Sequence, residues 1–282
     1  MFSRTRKKRK KNSTKKFFTI LICLIVSLLL LLFLSKFIIN KFKVKNNFEK
    51  ELLPYGDENY SEIFSVDKIV LYSSANATSN ETTRNLWNIN VYQFTDIAIF
   101  LNNNRNDYLS SKNTVKELYI DNIQYVPLPE KGTPELYYKA IDNFGIPNLK
   151  EDNLKKDKLD FKIVNSKDTL DTNLASFYET CQTPITLQFV NKDIKTNAII
   201  PNTGESLVFD GSLLSKTNIA LNNIKTKLSF KINILNNENK KFVYNVNIDI
   251  PLEDDNNTIY NGDIKKEITN FSNNKFLEIR GD

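Results

Sequence analysis

The sequence predicts an all-β fold, an antiparallel β-sandwich of about nine or more strands with one short helix, on a single N-terminal transmembrane helix. Three observations support this prediction. Residues 17 to 34 carry no charge, apolar and polar residues alternate in many later segments, and short Asn clusters separate those segments. Because alternation puts the apolar side chains of a strand on one face, a second layer has to cover that face.

Residues 17 to 39 are predicted to cross a membrane. The run FFTILICLIVSLLLLLFL contains eighteen uncharged residues, and a helix of that length covers about 27 Å of bilayer. No small-x-small site follows the run, and Ile22 precedes Cys23, which argues against a cleaved signal peptide and against a lipid anchor. A buried core helix does not account for the nine basic residues in front of the run.

The charge distribution predicts topology and partners. Residues 1 to 16 hold nine Lys or Arg and no acid, so this basic tail is expected to stay in the cytoplasm against anionic lipid headgroups. Four lysines flank the apolar run between residues 36 and 45, which leaves 26 basic against 33 acidic residues from residue 46 onwards, a net charge of −7. An acidic domain repels phosphate, so no nucleic-acid partner is expected.

The chain beyond the membrane is predicted to form a stalk, residues 40 to 65, and an extracytoplasmic β domain, residues 66 to 282. Pro54 and Gly56 interrupt the stalk, and its charged composition gives no strand pattern. A split into two smaller β units near residues 145 to 158 is the alternative, because Pro147 and a charged run interrupt the alternation there.

Residues 226 to 250 are predicted to form a β-hairpin with its turn at residues 236 to 240, because apolar residues recur at every second position on both sides. The residues from Val115 to Val126 form a further predicted strand, with a bulge at Asp121 or Asn122 where the alternation changes phase. The one helix is predicted from Asp168 to Glu179, on the spacing of Leu170, Leu174, Phe177 and Tyr178. Other predicted strands include 68–72, 87–92, 97–101, 159–163, 185–189 and 194–200.

The chain contains no histidine, which removes the usual general base and His-containing metal sites. Cys181 is therefore interpreted as an inert, partly buried small residue rather than as a nucleophile. Glu253, Asp254 and Asp255 form the densest acidic cluster, but the residues after them lack the order of a calcium loop, and a solvated turn is favoured. No catalytic, cofactor-binding or metal-binding residue is assigned, and no cofactor is expected.

Two surface features have a functional interpretation beside a structural one. The terminal Arg280-Gly281-Asp282 coincides with a short integrin-binding motif, but any tripeptide of common residues arises by chance, so chance is the favoured explanation. Tyr137 and Tyr138 are adjacent on a predicted strand, so one is expected in the core and the other at the surface.

The favoured function is a non-enzymatic binding or scaffold module of the cell envelope, held at the cell membrane by residues 17 to 39 and contacting a protein or cell-wall component. The alternative is a carboxylate-dependent hydrolase of envelope glycans, which needs two acids about 5 to 10 Å apart in a cleft. Whether the protein is an enzyme is left open. A sensor is disfavoured, because sixteen cytoplasmic residues leave no room for an output domain.

Overall fold

The computed structural model describes residues 60–82, 86–103, 111–140, 157–171, 174–201, 216–252 and 264–279, with a few positions between 17 and 36. The chain divides into two units, Met1–Gly56 and Asp57–Asp282. In the first unit the described positions are helical and exposed, and most of the predicted span lies outside the described residues. Among the described residues no helix is long and apolar enough to cross a membrane.

Eleven strands make up most of the described part of the second unit, with short 3-10 helices at Ser111–Asn113 and Leu221–Ile224. The strands are β1 Tyr60–Thr82, β2 Leu86–Asn102, β3 Val115–Tyr125, β4 Thr133–Tyr138, β5 Lys158–Val164, β6 Ser176–Tyr178, β7 Ile185–Pro201, β8 Thr226–Asn236, β9 Lys241–Ile250, β10 Ile264–Ile268 and β11 Lys275–Ile279. The predicted all-β class is confirmed.

The strands form one mixed sheet in the order β4-β7-β2-β1-β11-β9-β8-β3-β5-β6, and β10 also pairs with β1. Every pair is antiparallel except β5 with β6, which is parallel. The predicted hairpin is confirmed, since β8 and β9 pair antiparallel from Thr226↔Ile250 to Leu235↔Lys241. The two separate sheets of the predicted sandwich are not seen in this pairing, because the hydrogen bonding runs continuously from one strand to the next.

The sheet curls until its two ends face each other. Tyr138 of β4, the first strand in the order, meets Phe161 of β5, the last but one, with ring centroids 6.1 Å apart. Tyr125 of β3 and Phe189 of β7 are also far apart in the order, and their centroids are 6.0 Å apart. One cluster of buried apolar residues fills the space between, with contributions from strands on both sides of residues 145 to 158.

The predicted bulge in β3 is confirmed. The pairing of β3 with β8 shifts register between Asp121 and Gln124, and Asn122 has a φ of 52°. Asn is one of the few residues that adopt left-handed backbone geometry at low cost, so it fits the extra position of a bulge.

The helix predicted from Asp168 to Glu179 is wrong. Its described residues form turns and the short strand β6, which pairs with β5 through Lys162↔Ser176. The helical spacing put Leu174 and Phe177 on one face, yet Phe177 is fully buried and Leu174 is 52 % exposed. Pairing with β5 buries Phe177 without a helix, so tertiary contact overrides the local pattern.

Several strands are longer than predicted. Residues 87–92 and 97–101 belong to the single strand β2, and 185–189 and 194–200 belong to β7. Between the two predicted parts of β2 lie Gln93 and Thr95, which are polar and fully buried, so the sequence suggests two strands. β1 similarly begins at Tyr60, inside the predicted stalk, and buries Phe64 completely.

Candidate functional site

The most distinctive opening in the described part of the sheet lies where β10 and β11 share one edge of β1. β11 pairs with β1 near Tyr60, whereas β10 pairs with β1 from Ile69 to Ser73. Both strands therefore occupy the same position in the strand order, one after the other along β1. On the far side of β11 the next strand is β9.

β9 reaches only one of these two strands. It pairs with β11 at Lys241, Phe242 and Val243, and among the described residues no strand pairs with the same edge of β9 from Tyr244 to Ile250. β10 likewise pairs only with β1 among the described strands. Among the described strands β9 and β10 are therefore not paired with each other. We call the space between Tyr244–Ile250 and Ile264–Ile268 the wedge; its narrow end is where β9 leaves β11, and its wide end is at Ile250.

The narrow end of the wedge holds a cleft of about 450 Å³. Its walls are rich in aromatic and amide side chains, namely Tyr60, Tyr244, Phe271, Asn245, Asn247 and Asn270. The Tyr244 hydroxyl spans the opening and donates a hydrogen bond to the Asn273 carbonyl oxygen at 3.3 Å. Burial raises the pKa of Tyr244 to about 12, so this hydroxyl is a neutral donor at physiological pH.

The wide end holds a second cleft, of about 620 Å³. Three of the described residues that line it are lysines, Lys225, Lys227 and Lys266, and Asp249 is the one acid among them. The Lys227 ammonium lies 3.7 Å from the Asp249 carboxylate, and both side chains are mostly exposed. Such a pair contributes little to stability, so Lys227 can change partners at small cost.

The loop beside the wide end is held against β8 by one backbone and one side-chain hydrogen bond. The Val126 N–H donates to the Lys227 carbonyl oxygen at 3.0 Å, and the Thr226 hydroxyl donates to the Pro127 carbonyl oxygen at 2.7 Å. The side chains of Val126 and Leu128 are nevertheless 62 % and 69 % exposed. The wide end therefore combines exposed cations with a small exposed apolar surface.

The chemistry of the wedge is that of a sheet edge. A strand edge presents alternating N–H donors and C=O acceptors to whatever lies beside it, and an extended segment satisfies them as a further strand. The amide and hydroxyl side chains at the narrow end both donate and accept hydrogen bonds. The wedge is thus suited to bind an extended polar ligand.

The expectation for the tyrosine pair is wrong, because Tyr137 and Tyr138 are both buried. Tyr138 faces the main core, whereas Tyr137 packs with Phe94 and Val190 on the other face of the sheet. There the Tyr137 hydroxyl donates to the Glu135 carboxylate, and the Lys192 ammonium lies 4.7 Å from the ring centroid. Both faces of the sheet are covered at this point, so adjacent positions are both buried.

Of the other residues singled out from the sequence, Cys181 is described and is buried. Ser73, on β1, is also buried, and its hydroxyl is hydrogen-bonded to that of Thr95. The acidic cluster of residues 253 to 255 and the terminal tripeptide 280 to 282 lie outside the described residues. Among the described residues no three His, Cys, Asp or Glu side chains lie close enough together to hold a metal ion; the expectation of no metal site stays a prediction.

Sequence patterns did not reveal the wedge, because strand pairing between distant segments creates it. The one available signal is the pair of exposed lysines in β10, Lys265 and Lys266, since lysine is common on open strand edges. No protein family model, curated protein or solved structure matches the chain. The function of the wedge is therefore inferred from its geometry.

Proposed function

We propose that this protein is a membrane-anchored extracytoplasmic module of the cell envelope, with a β-sandwich arrangement and a non-enzymatic binding or scaffold role. Residues 17 to 39 are the anchor, the basic tail is cytoplasmic, and the β domain binds a protein partner through the wedge. The observation that carries the proposal is the edge of β9 from Tyr244 to Ile250, with which no described strand pairs and which has a cleft at each end; we call it the open edge.

The anchor is supported by charge and exposure. Phe17, Ile20 and Ile22 are 66 %, 60 % and 58 % exposed, and large apolar side chains in such numbers need a covering surface. The uncharged run around them has the length of a bilayer core, and the nine cations before it favour a cytoplasmic N-terminus. A lipid bilayer is the covering that satisfies both features.

A sandwich-like arrangement is supported by the contacts between distant strands. The ring contacts Tyr138–Phe161 and Tyr125–Phe189 join strands from opposite ends of the sheet order. Two halves of one curled sheet thus face each other across a shared core, which is the packing relation of a sandwich.

Topology is tested by limited proteolysis of right-side-out and inverted membrane vesicles that contain the full chain. We expect the β domain to be digested in right-side-out vesicles and protected in inverted ones. Digestion only in inverted vesicles would overturn the extracytoplasmic placement, and release of the protein by carbonate would overturn the anchor.

The binding role is tested by placing a photo-cross-linking amino acid at Asn247, an exposed β9 residue in the narrow cleft. The matched control carries the same amino acid at Lys162, which is exposed on β5. We expect a discrete protein adduct in native membranes from the Asn247 variant and not from the control. Equal labelling from both positions, or no adduct from either, would contradict a binding role for the wedge.

A further inference from the structure

The described residues that line the wide end of the wedge have a net charge opposite to that of the domain. Residues 46 to 282 carry a net charge of −7, yet the described lining of this cleft has three lysines and one aspartate. A local positive surface on an acidic domain attracts acidic groups, which the rest of the domain repels.

The strand directions limit how a segment can enter. β9 and β1 are both antiparallel to β11, so they run in the same direction, and β10 is antiparallel to β1. β9 and β10 therefore run in opposite directions on the two sides of the wedge. An inserted strand is antiparallel to only one of them, and its orientation is fixed by the edge with which it pairs.

We propose that the ligand of the wedge is an extended acidic peptide segment of a partner protein, which adds as a strand to the open edge and places its carboxylates against Lys227 and Lys266. This proposal rests on the binding role proposed above. The backbone of the segment satisfies donors and acceptors of the open edge, and its acidic side chains supply selectivity. Lys266 on β10 and Lys227 on the neighbouring strand β8 disfavour binding of a basic or neutral segment, because that leaves their charges unmatched.

The test uses the full chain in nanodiscs of neutral lipid and a fluorescent peptide of alternating Glu and Val, about as long as the open edge of β9. The comparison peptide replaces every Glu by Lys. We expect saturable binding of the acidic peptide, weaker binding as salt rises, and no binding of the basic peptide. Equal binding of the two peptides, or none of either, would overturn the proposal.

Variants locate the site. Reversing both charges in K227E/K266E should weaken binding of the acidic peptide by about tenfold or more, since two exposed ion pairs are lost and the reversed charges add repulsion. The control K162E reverses an exposed lysine on β5 and should leave affinity within about twofold. A similar loss of affinity in both variants would show that binding depends on the overall charge of the domain rather than on Lys227 and Lys266, and would contradict the proposed site.

Strand addition is separated from charge attraction by N-methylation of the peptide at every second residue, in each of the two possible registers. One register removes the N–H groups that face the open edge and should abolish binding, whereas the other should be tolerated. If neither register changes affinity, the segment is not an added strand. If an anionic polysaccharide binds with the same loss in K227E/K266E while the peptide does not, the ligand class is wrong. A specific Asn247 adduct in membranes would in either case leave the binding role intact.

Discussion

Phe64 gives the sharpest test of where the folded domain begins. It lies in a segment that the sequence assigns to the stalk, but its side chain is 0 % exposed in the core. Its ring meets Phe242 edge-on at a centroid distance of 5.0 Å and Phe276 at 6.3 Å. Truncation of a buried Phe costs about 3 to 5 kcal/mol, and the loss of two ring contacts favours the upper part of that range.

The assay is urea unfolding of the full chain in detergent micelles, followed by the fluorescence of the single tryptophan, Trp87, which packs against the core. We expect Phe64→Ala to lower the unfolding midpoint in proportion to that loss, with an unchanged slope. The control Leu128→Ala truncates a side chain that is 69 % exposed and should change stability by about 0.5 kcal/mol or less. Equal stability of the two variants would show that Phe64 belongs to a stalk and would refute the packing argument.

Two further predictions concern buried polar groups. Gln93 is fully buried, and among the described residues its amide nitrogen and oxygen have no hydrogen-bond partner; Gln93→Leu should therefore leave the free energy of unfolding unchanged or raise it by about 1 kcal/mol. The control Asn191→Leu removes the hydrogen bond to the Lys131 carbonyl oxygen and should lower the free energy of unfolding by about 1 to 3 kcal/mol. An equal loss of stability in the Gln93→Leu and Asn191→Leu variants would show that ordered water satisfies Gln93. Because the unfolded chain ionises tyrosine near pH 10 while the folded state keeps the Tyr244 proton until about pH 12, stability should fall as pH rises through this interval. Tyr244→Phe should reduce this fall by about 1 kcal/mol or less at pH 11, since the ring is partly exposed. Denaturant titrations at pH 9 and pH 11 measure it, and an identical fall in the free energy of unfolding in the wild type and the variant would contradict the assignment.

Sequence alternation predicted the strands correctly where one face of a strand is exposed to solvent. The β8–β9 hairpin was predicted with its turn because Phe230, Ile232 and Ile234 alternate with polar residues, and β8 and β9 are adjacent in sequence. The bulge at Asn122 was visible as a change of phase. The prediction fails where both faces are covered, as at Tyr137 and Tyr138, because alternation then no longer distinguishes inside from outside.

The sequence by itself determined the all-β class, the basic tail, the uncharged run and the acidic charge of residues 46 to 282, since each depends only on residue type and short-range spacing. The tertiary structure decided the rest. β1 begins at Tyr60, turns and β6 take the place of the helix predicted at residues 168 to 179, and the distant segments β2 and β7 are paired. The wedge belongs to this second group. It exists only where β10 and β11 share an edge of β1 and β9 pairs with β11 but not with β10 among the described strands. This arrangement depends on pairing between distant parts of the chain, which no local pattern encodes.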